Sequence, residues 1–150
     1  VDVSVATTTV HETPIRKLEL LGDSVSIYRY SLTDTLQEDL NCDGFSDRVY
    51  FSEVGTIREL IFLDGKSRKA MAIGKELKAE NELGADYKWV DFWGITRDTT
   101  TWEAIIEDSE ILGSRNISLD CPSIVFRKEE AGGGIITFRK GKFLWVHQAD

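Results

Sequence analysis

Ser123-Ile124-Val125-Phe126-Arg127, then Ile135-Ile136-Thr137-Phe138-Arg139, then Lys142-Phe143-Leu144-Trp145-Val146-His147 follow one another at the end of the chain. All three runs are rich in β-branched and aromatic residues. They are separated by Glu129 to Gly134 and by Lys140-Gly141, segments with the charge and glycine of turns. They read as a three-stranded antiparallel meander, and a β architecture is the frame for everything upstream.

Working back from that meander, Tyr87 to Gly94 is an aromatic-rich strand that would pair with Thr99 to Glu107 through the polar turn Thr96-Arg97-Asp98. Ile117 to Leu119 precedes Cys121-Pro122, where proline restricts the chain to an edge or a turn. Ile57 to Leu63 is a strand ending at the hairpin signal Asp64-Gly65, with Lys66 to Ile73 as its returning partner. Arg48 to Glu53 is the strand before it. Near the start, Lys17 to Leu21 and Val25 to Leu32 flank Gly22-Asp23 as a hairpin, and Ser26, Tyr28 and Tyr30 alternate with Val25, Ile27 and Arg29. Between the hairpins, Asp34 to Leu40 is a short polar connector of at most one helical turn. Lys75 to Leu83 carries helix formers with Gly84 just past its end, which predicts a short surface helix. Val1 to Thr13 reads as an extended, loose N-terminal arm closed by Pro14. No repeat marks a solenoid or a propeller. The expectation is a mainly β single domain over residues 1–150, a sandwich or curved antiparallel sheet with at most one or two short helices.

A chain of 150 residues can bury a genuine core, and 41% hydrophobic with 29% charged residues is ordinary for a globular protein. A net charge of −8 argues against phosphate-directed nucleic-acid binding, which needs clustered Lys and Arg. No run approaches the ~18 apolar residues of a membrane span. The numbering opens on Val1 and the only methionine is Met71, which leads to the expectation of a processed, exported chain, secreted or periplasmic. Cys42 and Cys121 fit that compartment as a disulfide pair, with two buried free thiols as the alternative.

Asp39-Leu40-Asn41-Cys42-Asp43-Gly44-Phe45-Ser46-Asp47 places oxygen-bearing side chains at positions 1, 3, 5 and 9, with glycine at position 6. Ca²⁺ takes six to eight oxygens at about 2.3–2.6 Å, which alternate residues of a tight loop can supply. The candidate ligands are Asp39, Asn41, Asp43, the Phe45 carbonyl and Asp47. Cys42 falls at an even position, and thiolate is too soft a ligand for Ca²⁺. An EF-hand is excluded because Tyr50 stands where that loop needs a bidentate glutamate, and because β-rich Arg48-Val49-Tyr50-Phe51 follows instead of a helix. The stretch resembles the calcium loops of FG-GAP and VCBS-type repeats, D-x-[DN]-x-D-G-x-x-D, over about a dozen residues and once in the chain. The resemblance implies a local calcium site in a β context. The plain alternative is a solvated Asp43-Gly44 turn before a strand.

Catalytic signatures are missing from the sequence: it has no G-x-S-x-G, H-E-x-x-H, P-loop or G-x-G-x-x-G. Gly132-Gly133-Gly134 lies between β-like runs, as a hairpin tip does. His11 and His147 have no partner at metal-ligand spacing, and nothing near Cys121 lowers a thiol pKa. Trp89, Trp93 and Trp102 form a candidate binding surface, against the alternative of burial in a sandwich. These readings lead to an exported calcium-binding β domain that acts by binding protein, as an inhibitor or immunity protein against a basic cell-envelope enzyme. A carbohydrate-binding module using the tryptophans is the second expectation. A hydrolase working through paired acids such as Glu103, Glu107, Asp108 and Glu110 is the third.

Overall fold

The computed structural model describes residues 18–21, 25–80, 84–129 and 132–148. The first strands in chain order are β1 (Leu18–Leu21), β2 (Val25–Tyr30), β3 (Leu36–Glu38), β4 (Asp47–Val54), β5 (Ile57–Leu63) and β6 (Ala70–Ala72). After them come β7 (Ala79–Glu80), β8 (Phe92–Thr96), β9 (Thr100–Glu107) and β10 (Glu110–Ser118). The chain closes with β11 (Ser123–Arg127), β12 (Gly133–Arg139) and β13 (Lys142–Gln148). The last three form the expected meander, with Ile124 opposite Ile136 and Ile136 opposite Trp145.

The meander is the centre of a seven-stranded sheet ordered β1-β2-β8-β11-β12-β13-β7, antiparallel except where β7 joins β13. A second sheet runs β3-β4-β5-β6, and β9 and β10 pair as a separate ribbon. The domain is all-β and multi-sheeted, with no helix among the described residues.

The large sheet is apolar on both faces. One face carries Trp93, Ile95, Ile124, Phe126, Ile136, Phe143 and Trp145, and packs on Val49, Leu60 and Phe62 of the second sheet. Aromatic pairs form the seam: Phe51 on β4 meets Trp93 on β8 at 4.3 Å between ring centroids, and Phe62 on β5 meets Phe143 on β13 edge-on at 5.1 Å. Tyr87 closes this core from a loop, its hydroxyl donating to the Ile73 carbonyl at 2.9 Å, and burial pushes its pKa far up. The opposite face carries Val25, Ile27, Val125, Ile135 and Val146, and is covered by Leu119 and Ile117 at the base of the ribbon. Gln148 fastens that cover, its Nε2 donating to Thr101 Oγ1 and to the Trp102 carbonyl, both at 2.8 Å.

Several expectations need correction. Lys75 to Leu83 does not form a helix over its described part. Leu77 packs against the main core and bridges Ile73, and Ala79–Glu80 becomes β7. The N–H of Gly74, at φ +96°, donates to the Leu77 carbonyl at 2.7 Å, and the Ala72 N–H donates to Glu76 at 2.8 Å, so a tight turn replaces the helix. Tyr87 to Asp91 is a turn, and the strand begins only at Phe92. The Thr99–Glu107 segment pairs with β10, not with the strand before it, which is sandwiched between β2 and β11. The Asp34–Leu40 connector contains β3 instead of a helical turn. The arm Val1 to Thr13, the Gly22-Asp23 turn and the last three residues of the expected helix lie outside the described residues.

Gly134 marks a close approach in the meander that involves a core side chain. A Cβ there would enter the Trp145 ring and the Val146 carbonyl, both of which are held in the core. Gly134→Ala is therefore expected to cost about 1–3 kcal/mol in urea unfolding. An unchanged midpoint would show that the indole can move aside freely.

Candidate functional site

The Asp39–Asp47 loop joins β3 to β4 and is pinned at both ends. Leu40 is buried in the main core, and its N–H donates to Asp47 Oδ2 at 2.9 Å. Asp47 is 0% exposed, and its Oδ1 accepts the Gly65 N–H at 2.8 Å. One carboxylate thus ties this loop to the β5–β6 turn. Gly65 is required there, because a Cβ would collide with the Ser46 carbonyl. Within the loop, Asp39 accepts the Asp43 and Gly44 N–H groups at 3.2 and 2.9 Å, and Asp43 Oδ1 accepts the Phe45 N–H at 3.0 Å. Gly44, at φ +90°, makes the reversal.

Asn41 projects between these carboxylates. The outer end of its amide lies 3.2 Å from Asp39 Oδ1 and 3.0 and 3.3 Å from Asp43 Oδ1 and Oδ2. With its nitrogen turned inward, Asn41 donates to these oxygens. With its carbonyl oxygen turned inward, the same place holds four converging oxygens. Asp64 stands close by and adds its charge to that of Asp43 around Asp47. Burial acts to raise the Asp64 pKa, but hydrogen bonds from the Ser67 hydroxyl and the Lys66 and Ser67 backbone outweigh it and hold the carboxyl below the ordinary 3.8. A pocket of about 470 Å³ borders the loop and leaves Asn41 and Asp64 open to solvent ions.

The structure brings Asp39, Asn41 and Asp43 together and leaves Asp47 apart from them. Both Asp47 oxygens are turned inward to backbone donors, so it serves as an anchor. Consistent with this, no group of three or more His, Cys, Asp or Glu side chains among the described residues stands in ligating positions. Asp64 was not marked by the loop motif; its place after β5, opposite the loop, is a tertiary fact. Cys42 and Cys121 are joined by a disulfide across 79 residues, linking the loop to the segment between β10 and β11.

The tryptophans do not form one surface. Trp93 is fully buried and its indole N–H donates to the Ser31 carbonyl at 2.8 Å, which corrects its expected role in binding. Trp89 is half-buried edge-on against Trp145 at 5.9 Å. Trp102 lies on the ribbon, over the opposite face of the large sheet. No family model matches the chain, and neither does a curated protein or a solved structure.

Burial is the main cause that raises the Asp47 pKa above 3.8, against the Gly65 and Leu40 hydrogen bonds that lower it. A carboxyl raised in the folded state holds its proton more readily there than in the unfolded chain, so its ionisation costs stability as pH rises through that window. Asp47→Asn loses one backbone bond and aims an amide N–H at a second donor, at a cost of about 1–3 kcal/mol. That penalty is expected to be largest near pH 4 and smaller at pH 7, read from urea unfolding at each pH. A penalty that grows with pH would mean that the fold favours the ionised carboxylate. Changing both Cys42 and Cys121 to serine should lower stability by about 4 kcal/mol at this loop length. A loss near zero would show that the unfolded chain is not restrained by the bridge.

Proposed function

We propose that the protein is an exported, non-enzymatic β domain that binds Ca²⁺ in the Asp39–Asp47 loop and acts by binding another protein. The observation that carries the calcium reading is the approach of the Asn41 amide to Asp39 and Asp43 within 3.0–3.3 Å, in a loop already shaped by its own backbone bonds. The hydrogen bonds leave lone pairs on Asp39 and Asp43, since a carboxylate offers about four acceptor sites. Ca²⁺ takes the place of the amide N–H donors: Asn41 rotates its carbonyl oxygen inward beside Asp39 and Asp43, and the Phe45 carbonyl and solvent complete the shell. Asp47 and Asp64 add negative potential from behind the loop. The resemblance to FG-GAP and VCBS-type loops agrees with this assignment, as do a chain of charge −8 and a disulfide suited to an oxidising compartment. The protein-binding half of the reading is supported by large apolar side chains left exposed on the ribbon, Ile106, Ile111 and Leu112.

A thermal melt of chelator-stripped protein tests the site. Calcium at about a hundred times its dissociation constant should raise the melting temperature by about 5–10 °C for a domain of this size. Magnesium should do much less, because it demands stricter geometry and dehydrates reluctantly. Asp43→Ala should abolish the calcium shift while the stripped variant still melts cooperatively. An equal shift in wild type and Asp43→Ala would remove the loop as the site.

A further inference from the structure

The β9–β10 ribbon is clamped at its base and unpartnered beyond it. Leu119 is buried against the large sheet, its N–H donates to the Thr99 carbonyl at 2.8 Å, and Gln148 holds Thr101 and Trp102. Beyond that base, every residue of β10 is exposed except Ile117. Among the described strands β10 pairs with β9 alone, so alternate N–H and C=O groups on its outer side have no strand partner. Natural edges of this length are blunted by lysine, proline or a bulge. β10 reads EILGSRNIS, without lysine or proline, and its bulge sits beside the turn between Ile111 and Gly113. Gly113 to Ser118 remains in continuous register with β9 and open on the other side.

The tip combines apolar and acidic groups. Ile106, Ile111 and Leu112 are 47, 55 and 57% exposed. Glu107 and Glu110 are partners in register across the hairpin, with Asp108 in the turn between them. Like charges directly opposite destabilise a strand pair. No ion pair among the described residues reaches any of the three carboxylates. The one cation of β10, Arg115, is already held by the buried Glu103, with Nε and one terminal nitrogen each 2.8 Å from Oε1. The ribbon therefore presents an unpaired strand edge whose end carries three carboxylates and three exposed aliphatic side chains.

We propose that the β10 edge is the docking site for an extended, lysine- or arginine-bearing segment of a partner protein, which adds to the ribbon as a third strand. Backbone hydrogen bonds along Gly113 to Ser118 supply the pairing. Cations of the segment meet Glu107, Asp108 and Glu110 and relieve their repulsion, and its apolar side chains cover Ile111 and Leu112. A second copy of this chain is the poorer occupant, because it would bring six tip carboxylates onto two chains that each carry −8. The inference deepens the protein-binding reading and does not depend on the calcium loop.

The test uses the full chain and a peptide of about ten residues alternating leucine and lysine, with a leucine–glutamate peptide of equal length as control. Amide hydrogen exchange across β10 is followed with calcium and with chelator. Outward amides of Gly113 to Ser118 should exchange readily in the free protein and slow at least about tenfold with the lysine peptide, but not with the glutamate peptide. The double variant Glu107→Gln, Glu110→Gln should melt slightly higher than wild type yet bind the lysine peptide about fivefold more weakly. That opposition of stability and affinity separates a docking role from a structural one. Protection of the edge in the free protein, equal protection by both peptides, or no protection by either overturns the proposal. The calcium melt reports on the loop alone, so failure of one reading is distinguished from failure of the other.

Discussion

Strands β8, β11, β12 and β13 carry apolar side chains on both faces, and such a sheet cannot stand as a single layer in water. Each face has to find a cover, and the rest of the chain is arranged to supply two. The first is the β3–β6 sheet, joined through the Phe51–Trp93 and Phe62–Phe143 contacts, aromatic pairs that each add about 0.5–1.5 kcal/mol beyond their buried area. The second is smaller: Leu119, Ile117 and the base of the ribbon, fastened by Gln148. A two-stranded ribbon is longer than the face it has to cover. Its far end therefore projects beyond the cover, and that excess length, not any cleft in the fold, is what leaves Ile106, Ile111 and Leu112 in solvent.

The loop at Asp39–Asp47 follows a different economy. Where a metal site is not preformed, ion binding and the ordering of the loop are coupled. Here protein groups already order the loop: Leu40 is sunk in the core, Asp47 holds two backbone donors, and Asp39 holds two more. A loop ordered in this way need not draw on ion binding to organise the backbone, so the affinity of a cation depends on charge and on the orientation of one amide, Asn41. The same arrangement explains why Asp47 is a poor ligand, although it sits at the motif's last position. Burying its charge is tolerable only while both oxygens remain hydrogen-bonded to Leu40 and Gly65.

What was legible in the sequence was local. The β11–β13 meander, β5 and the β1–β2 strands could be read because each follows from alternation and from turns within a few residues. Pairings that depend on distant segments were not legible. β8 lies between β2 and β11, about 65 and 30 residues away, and nothing in Phe92 to Thr96 names those partners. The β9 partner was misassigned because Thr96-Arg97-Asp98 looks like a hairpin turn, whereas the true reversal at Asp108-Ser109 uses two left-handed residues without a glycine, at φ 52° and 64°. Trp93 was misread for a similar reason. Its place on a strand is correct, but the face that meets the second sheet does so through Phe51, forty-two residues earlier. In the candidate site, spacing identified Asp39, Asn41 and Asp43, while the inward turn of Asp47 and the approach of Asp64 depend on burial and on a neighbouring loop.

The Cys42–Cys121 bridge connects the two features that face solvent. Cys42 occupies the middle of the Asp39–Asp47 loop, and Cys121 follows Leu119, the residue that seats the ribbon base on the large sheet. A change in the loop would reach the ribbon only by moving Leu119, and Leu119 is held independently by its burial and by the Thr99 carbonyl. The bridge therefore acts as a restraint and not as a lever: it keeps the loop and the ribbon base in fixed relation, and it requires no bistable element, which coupling between sites would demand. On this geometry, a cation bound at the loop would stabilise the domain as a whole and leave the β10 edge as available as before. The affinity of that edge for a partner is set at its own tip, by the register of Glu107 against Glu110 and by the aliphatic side chains beside them.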